Sequence, residues 1–162
     1  MRLRLVTSKI AALVAGAALI SAAAGPPGAV AIVVNKGNSV ETLSAKELKQ
    51  IFTGEKTHWM DGQKIQTLAT GAATPEHKVA IQFLFGMNEA DYQKYCLHAT
   101  FAGTARPVPM EAATSQAVLN YVALIPGAIG FIRADLASPN AKVIKVDGMA
   151  PGDPGYPIEG AK

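Results

Sequence analysis

Ala29-Val-Ala-Ile-Val-Val34 is an uninterrupted apolar, largely β-branched run, bounded on its far side by Asn35-Lys-Gly-Asn38. A run this short, with no polar alternation, reads as a strand buried on both faces. Such a strand needs a layer of other elements on each side, which points to an α/β arrangement. Ala128-Ile-Gly-Phe-Ile132, entered directly from Pro126-Gly127, is a second short buried strand. Lys142-Val-Ile-Lys-Val146 alternates and belongs nearer a sheet edge, and Lys64-Ile-Gln-Thr-Leu-Ala69 reads as a further strand.

Helices fall between these strands. In Leu43-Ser-Ala-Lys-Glu-Leu-Lys-Gln-Ile-Phe52, Ser44 and Glu47 form a capping box, which ties down two otherwise free backbone N–H groups. Leu48, Ile51 and Phe52 follow at helical spacing, and Gly54 ends the helix. Thr57-His-Trp-Met-Asp-Gly62 is a turn, with Trp59 as its aromatic anchor. Thr70-Gly-Ala-Ala-Thr74 is a small-residue loop. Thr74 then caps a helix that opens on Pro75, carries Val79, Ile81, Phe83, Leu84 and Phe85, and closes at Gly86. Asn88 caps a helix with Tyr92, Tyr95, Cys96 and Ala99 on one side. Thr114 or Ser115 starts another through Ala117, Val118, Tyr121 and Val122. Phe101–Pro109 and the Gly- and Pro-rich tail Asp147–Lys162 read as irregular.

The first residues have a different character. Arg2, Arg4 and Lys9 precede the apolar stretch Ile10–Ile20 and the small residues Ser21-Ala-Ala-Ala24, the pattern of a secretory signal. The expected organisation is a signal peptide at 1–24 followed by a single domain at 25–162, periplasmic or secreted and not membrane-spanning. The whole chain has 15 basic and 12 acidic residues. With Arg2, Arg4 and Lys9 set aside, the mature balance is even, so the charge gives no footing for nucleic acid. Hydrophobic residues at 49% and charged residues at 17% exclude a disordered chain. The single cysteine, Cys96, excludes a disulfide framework and reads as a small buried hydrophobe.

Asn35, Leu43-Ser-x-x-Glu-Leu-x-x-Ile-Phe-x-Gly54, Trp59-x-Asp-Gly62 and Pro126-Gly-Ala-Ile-Gly-Phe131 occur in this order. Together they resemble the second lobe of periplasmic phosphate-binding proteins, the extracytoplasmic subunits of phosphate ABC importers. The likeness runs over roughly Ala31–Arg133. It implies one lobe of a type II periplasmic-binding-protein fold: a central, mainly parallel sheet with helices on both faces. It also implies phosphate or another small anion as ligand, and an ABC transporter permease or another periplasmic protein as partner.

In that family an Arg and a Ser-Gly-Thr turn at a helix N-terminus bind the anion. Here the matching stretch is Leu68-Ala-Thr-Gly-Ala-Ala-Thr-Pro-Glu-His-Lys78, with no Arg and no Ser-Gly-Thr. Thr70, Gly71, Ala72 and Thr74 are the candidate ligand-binding residues that remain. His77 and Lys78 offer positive charge and Glu76 opposes it, while Pro75 removes one N–H donor. The alternative is an accessory or interaction module that no longer binds a ligand.

His58, His77 and His98 have no metal spacing with one another or with Cys96. Cys96 and His98 point to different sides of a helix, and neither a nucleophile elbow nor a P-loop is present. The expectation is a protein that is not an enzyme, with no catalytic residue, metal or cofactor. Arg133 follows an apolar strand at the place where an α/β cleft opens, and surface solvation is its favoured role.

Overall fold

A computed structural model describes residues 28–103 and 107–160. The expected signal segment and Arg106 lie outside the described residues. The elements in chain order are β1 (Val30–Val34), β2 (Thr42–Leu43), α1 (Ala45–Phe52), β3 (Gln66–Thr70), α2 (Pro75–Phe85), α3 (Glu89–Phe101), β4 (Met110–Ala112), α4 (Ser115–Leu124), β5 (Ala128–Arg133) and β6 (Lys142–Val146). A 3-10 turn at Ala134–Leu136 separates β5 from β6.

The strands form one sheet in the order β2-β6-β1-β5-β3-β4. β1 pairs antiparallel with both β5 and β6, and every other pairing is parallel. Five strands therefore run one way and the central β1 runs against them, so the expected mainly parallel sheet is found with one reversed strand. β6 lies one place in from the edge, covered by the two-residue β2.

Alternation along β1 divides the core. Val30, Ile32 and Val34 pack with Leu48, Ile51 and Phe52 of α1 and with Ala80, Ile81 and Leu84 of α2. Ala31 and Val33 face the other way, toward Val118, Leu119 and Val122 of α4. Every residue of β1 is buried, as the unbroken apolar run requires. Gly130 lets α4 come close, since a Cβ there would lie 2.7 Å from Val118 Cγ1 and 3.2 Å from Leu68 Cβ.

The caps behave as the sequence indicates. Ser44 and Glu47 complete the capping box, and Thr74, Asn88 and Thr114 cap α2, α3 and α4. Gly86 ends α2 in the left-handed conformation at φ 66°. Trp59 is buried, and its indole Nε1 donates to the Gly127 carbonyl at 3.0 Å, tying the turn to the entry of β5.

Five elements differ from expectation. β2 and β4 arise where no strand is expected, and β3 begins at Gln66 rather than Lys64. On α4, Leu119 is buried while Tyr121 is 45% exposed, so the helix is rotated from the expected face. On α3 only Tyr92 is fully buried. The tail has no regular element, yet it is anchored: the Tyr156 hydroxyl donates to the Val30 carbonyl at 2.8 Å, and Val30 N donates to the Ile158 carbonyl at 3.1 Å. Tyr156 and Ile158 are buried.

Candidate functional site

β3 leads into α2 on one face of the sheet, while its neighbour β4 leads into α4 on the other. Adjacent parallel strands whose following helices diverge create a crevice at their carboxyl ends, the usual place for a ligand in an open α/β sheet. The Thr70–Thr74 loop stands at that point. Gly71 is required there by close approach, because a Cβ would lie 3.0 Å from the Ala113 carbonyl oxygen.

The two N-termini meet in this crevice. Ser115, the first residue of α4, donates its hydroxyl to Glu76 Oε1 at 2.7 Å, and its oxygen accepts the Arg133 amide at 3.0 Å. Glu76 lies in the first turn of α2, is buried, and its second carboxylate oxygen has no partner among the described residues. Its carboxyl sits between the N-termini of α2 and α4.

The hydroxyls expected to face a ligand are committed inward. Thr70 is fully buried. The Thr74 hydroxyl accepts from the His77 amide at 3.3 Å. Its single proton has two acceptors, the Gly71 carbonyl at 2.9 Å and the Thr70 hydroxyl at 3.0 Å. The Ala72 amide donates to Glu111 Oε1 of β4 at 3.3 Å. Among the described residues, the Ala73 and Glu76 amides have no hydrogen-bond partner. The open donors at this helix start are therefore backbone amides, and the two threonines hold the loop in shape.

His77 is turned into the protein, away from the open side of the loop. It is 1% exposed, and its Nδ1 donates to the Thr70 carbonyl. Its ring packs edge-on against Tyr92 and Phe131. Lys78 is exposed. Arg133 is on the surface at the end of β5, where its Nε donates to Asp135 Oδ1 at 2.8 Å. That pairing holds the Asp135 carboxyl below the usual carboxylate range. The helical placement of Cys96 and His98 keeps them apart, and among the described residues no group of three His, Cys, Asp or Glu could hold a metal.

Sequence reasoning missed Glu111 and Ser115 as members of this crevice. The signal for Ser115 was its place beside the cap Thr114. Glu111 lies on an edge strand that no apolar pattern marks.

No protein-family model matches the chain. A stretch of 35 residues is 54% identical to the phosphate-binding protein PstS 2 of Streptococcus agalactiae, covering 22% of this chain and 12% of that protein. Among solved structures, an ABC-type phosphate transport receptor from Vibrio cholerae aligns with a TM-score of 0.62 and 20% identity, over 76% of this chain and 48% of the receptor. PstS from Borrelia burgdorferi aligns with a TM-score of 0.62 and 13% identity, over 82% and 54%. A phosphate-binding protein from Stenotrophomonas maltophilia gives 0.57 and 24%, over 77% and 41%. These neighbours are transport binding proteins rather than enzymes, and the chain spans about half the length of each. Among the described residues no helix is long and apolar enough to cross a membrane. The chain thus has the fold of one lobe of the periplasmic phosphate-binding proteins of ABC importers.

Proposed function

We propose that the chain is an exported solute-binding lobe of the phosphate-importer type, holding a small oxyanion weakly at the start of α2. The observation that carries this reading is the convergence of the α2 and α4 N-termini in the crevice beside Thr70–Thr74, with the Ala73 and Glu76 amides unpartnered among the described residues. Helix N-termini attract anions through those amides and the dipole. Of the candidate residues, Gly71 and Ala72 would set the backbone path, and Thr70 and Thr74 would fix it through their inward bonds. A mature start near Gly25, a periplasmic location and an importer permease as partner belong to the same proposal.

The site is weak for stated reasons. It lacks the Arg of the resembled family, and Pro75 has no N–H. Losing two charge-assisted hydrogen bonds, at about 1.5–3 kcal/mol each, lowers affinity by about two to four decades. A lobe alone also leaves the anion facing water, and salt screens it further.

A second reading, an accessory module without a ligand, is favoured by one contact: the Glu111 carboxylate on the Ala72 amide stands where an oxyanion oxygen would. Calorimetry with inorganic phosphate on the wild type and Glu111→Gln separates the two. The oxyanion reading expects weak binding, no tighter than high micromolar, that tightens several-fold in the variant. No heat in either protein supports the accessory module.

A further inference from the structure

α3 is the long helix least committed to the core. Of its 13 residues only Tyr92 is fully buried, held against the Phe85 ring of α2 at 4.8 Å between centroids. A pocket of about 480 Å³ separates α3 from β4, lined by Gln93, Leu97 and Thr100 on one side and by Glu111 on the other. The helix is therefore not packed against the neighbouring strand. Left-handed glycines stand before and after it, Gly86 at φ 66° and Gly103 at φ 58°, which give the chain turning points at both ends.

One polar contact fastens the first turn. His77 Nδ1 donates to the Thr70 carbonyl, and Nε2 of the same buried ring lies 3.2 Å from Oε2 of Glu89, the first residue of α3. Both flanking oxygens belong to accepting groups. A neutral ring has one N–H and would set a bare nitrogen against the carboxylate. The doubly protonated ring presents an N–H on each side and carries the charge that pairs with Glu89. The contact with Glu89 lies off the line of a hydrogen bond, so charge is what holds it.

Other groups around the ring are already committed. Glu76, its neighbour in α2, accepts from the Ser115 hydroxyl, and Glu111 of β4 accepts from the Ala72 amide. Burial raises Tyr92 and Cys96 of α3, so both are neutral beside it, and Phe131 of β5 brings no charge. Arg133, at the end of β5, is paired with Asp135, and Lys78 is exposed.

We propose that His77 is a doubly protonated pin fastening α3 to the Thr70 carbonyl, and that α3 loosens as a unit when the ring gives up its Nε2 proton. The pin favours the charged ring while α3 is docked. Its hold is therefore full at the acid end of the histidine range and is lost as pH rises through the titration of the docked ring. The device does not depend on whether the Thr70–Thr74 loop takes a ligand.

The test follows the full chain from about pH 5 to about pH 8. Long-range ¹H–¹⁵N spectra read the His77 ring, with the exposed His58 and His98 as references. Amide hydrogen exchange, corrected for the intrinsic effect of pH, reads α3 at Tyr92–Leu97 and α4 at Val118–Val122. Both ring nitrogens should carry protons where α3 is protected. As the ring is deprotonated, α3 protection should fall about tenfold or more while α4 holds. Glu89→Gln keeps a polar partner of the same shape without the charge, and should make α3 protection independent of pH. A neutral ring under a fully protected α3, a fall shared equally by α4, or the wild-type pH dependence persisting in Glu89→Gln would overturn the proposal. The first two outcomes need no variant.

Discussion

At the start of α1, Ser44 accepts the Glu47 amide at 3.2 Å, and Glu47 returns a carboxylate oxygen to the Ser44 amide at 3.1 Å. At the start of α2, Thr74 accepts the His77 amide in the same way, but Glu76 and His77 turn into the protein instead of back to the cap. The first helix start is closed by its own capping box and by Asp147, just past the end of β6, whose carboxylate accepts the Ala45 amide at 3.0 Å. The second leaves the Ala73 and Glu76 amides open among the described residues, as the first leaves that of Lys46, and it directs its side chains to Ser115, Thr70 and Glu89. The same cap chemistry therefore gives a surface start whose carboxylate turns back to the cap in one place and a crevice whose first-turn side chains turn inward in the other. The difference lies in whether neighbouring strands and helices converge there.

The largest expected effect concerns what holds α1 once its cap is complete. Phe52 is fully buried and lies 6.0 Å, centroid to centroid, from Phe131 of β5. Phe52→Ala should cost about 3–5 kcal/mol in urea unfolding. A loss below about 1 kcal/mol would mean that the cap, not the buried face, carries α1.

At α2 the corresponding anchor is polar. Glu76→Ala removes the acceptor of the buried Ser115 hydroxyl and should cost about 1–3 kcal/mol, with Glu76→Gln recovering part of it by keeping an acceptor. Equal stability of the two variants would separate Glu76 from the joining of α2 to α4.

Thr74→Val and Ser44→Ala compare the caps directly. Each should lower stability by about 1 kcal/mol, the usual worth of an N-cap hydroxyl. Thr74→Val should also shift the Gly71–Ala73 amides in spectra, because its hydroxyl shapes the loop. Silence at those amides would contradict the shaping role.

The smallest effect is on pH. The Ser44 amide first, and then the Ser44 hydroxyl, hold the Glu47 carboxyl below its ordinary value. Its contribution is fully present above the ordinary glutamate value and is lost as pH falls through the lowered one. Between about pH 6 and about pH 3, wild type should lose slightly more stability than Glu47→Gln. The reverse order would remove the capping carboxylate from the account.

The parts legible in the sequence are those decided by local pattern. The unbroken run of β1, the capping box of α1, the Thr74-Pro75 entry to α2 and the Pro126-Gly127 entry to β5 each need only neighbours along the chain. β2 and β4 escaped because they exist only through pairing. Thr42–Leu43 pairs with Lys145–Val146, and Met110–Ala112 pairs with Leu68–Thr70, both across long separations. The tail escaped for the same reason, since Tyr156 is fixed by the Val30 carbonyl. At the site, the loop was legible from Thr70, Gly71 and Thr74. The inward turn of His77 and the arrival of Glu111 were not, because each depends on which strand lies beside β3.

The central claim is that the α2 start offers backbone amides to an oxyanion, weakly. Titration of the chain with inorganic phosphate, read at individual amides, tests it most directly. The account predicts saturable shifts centred on Ala72, Ala73 and Glu76, with Kd no tighter than high micromolar. Submicromolar binding, or phosphate shifts centred away from this loop, would contradict it.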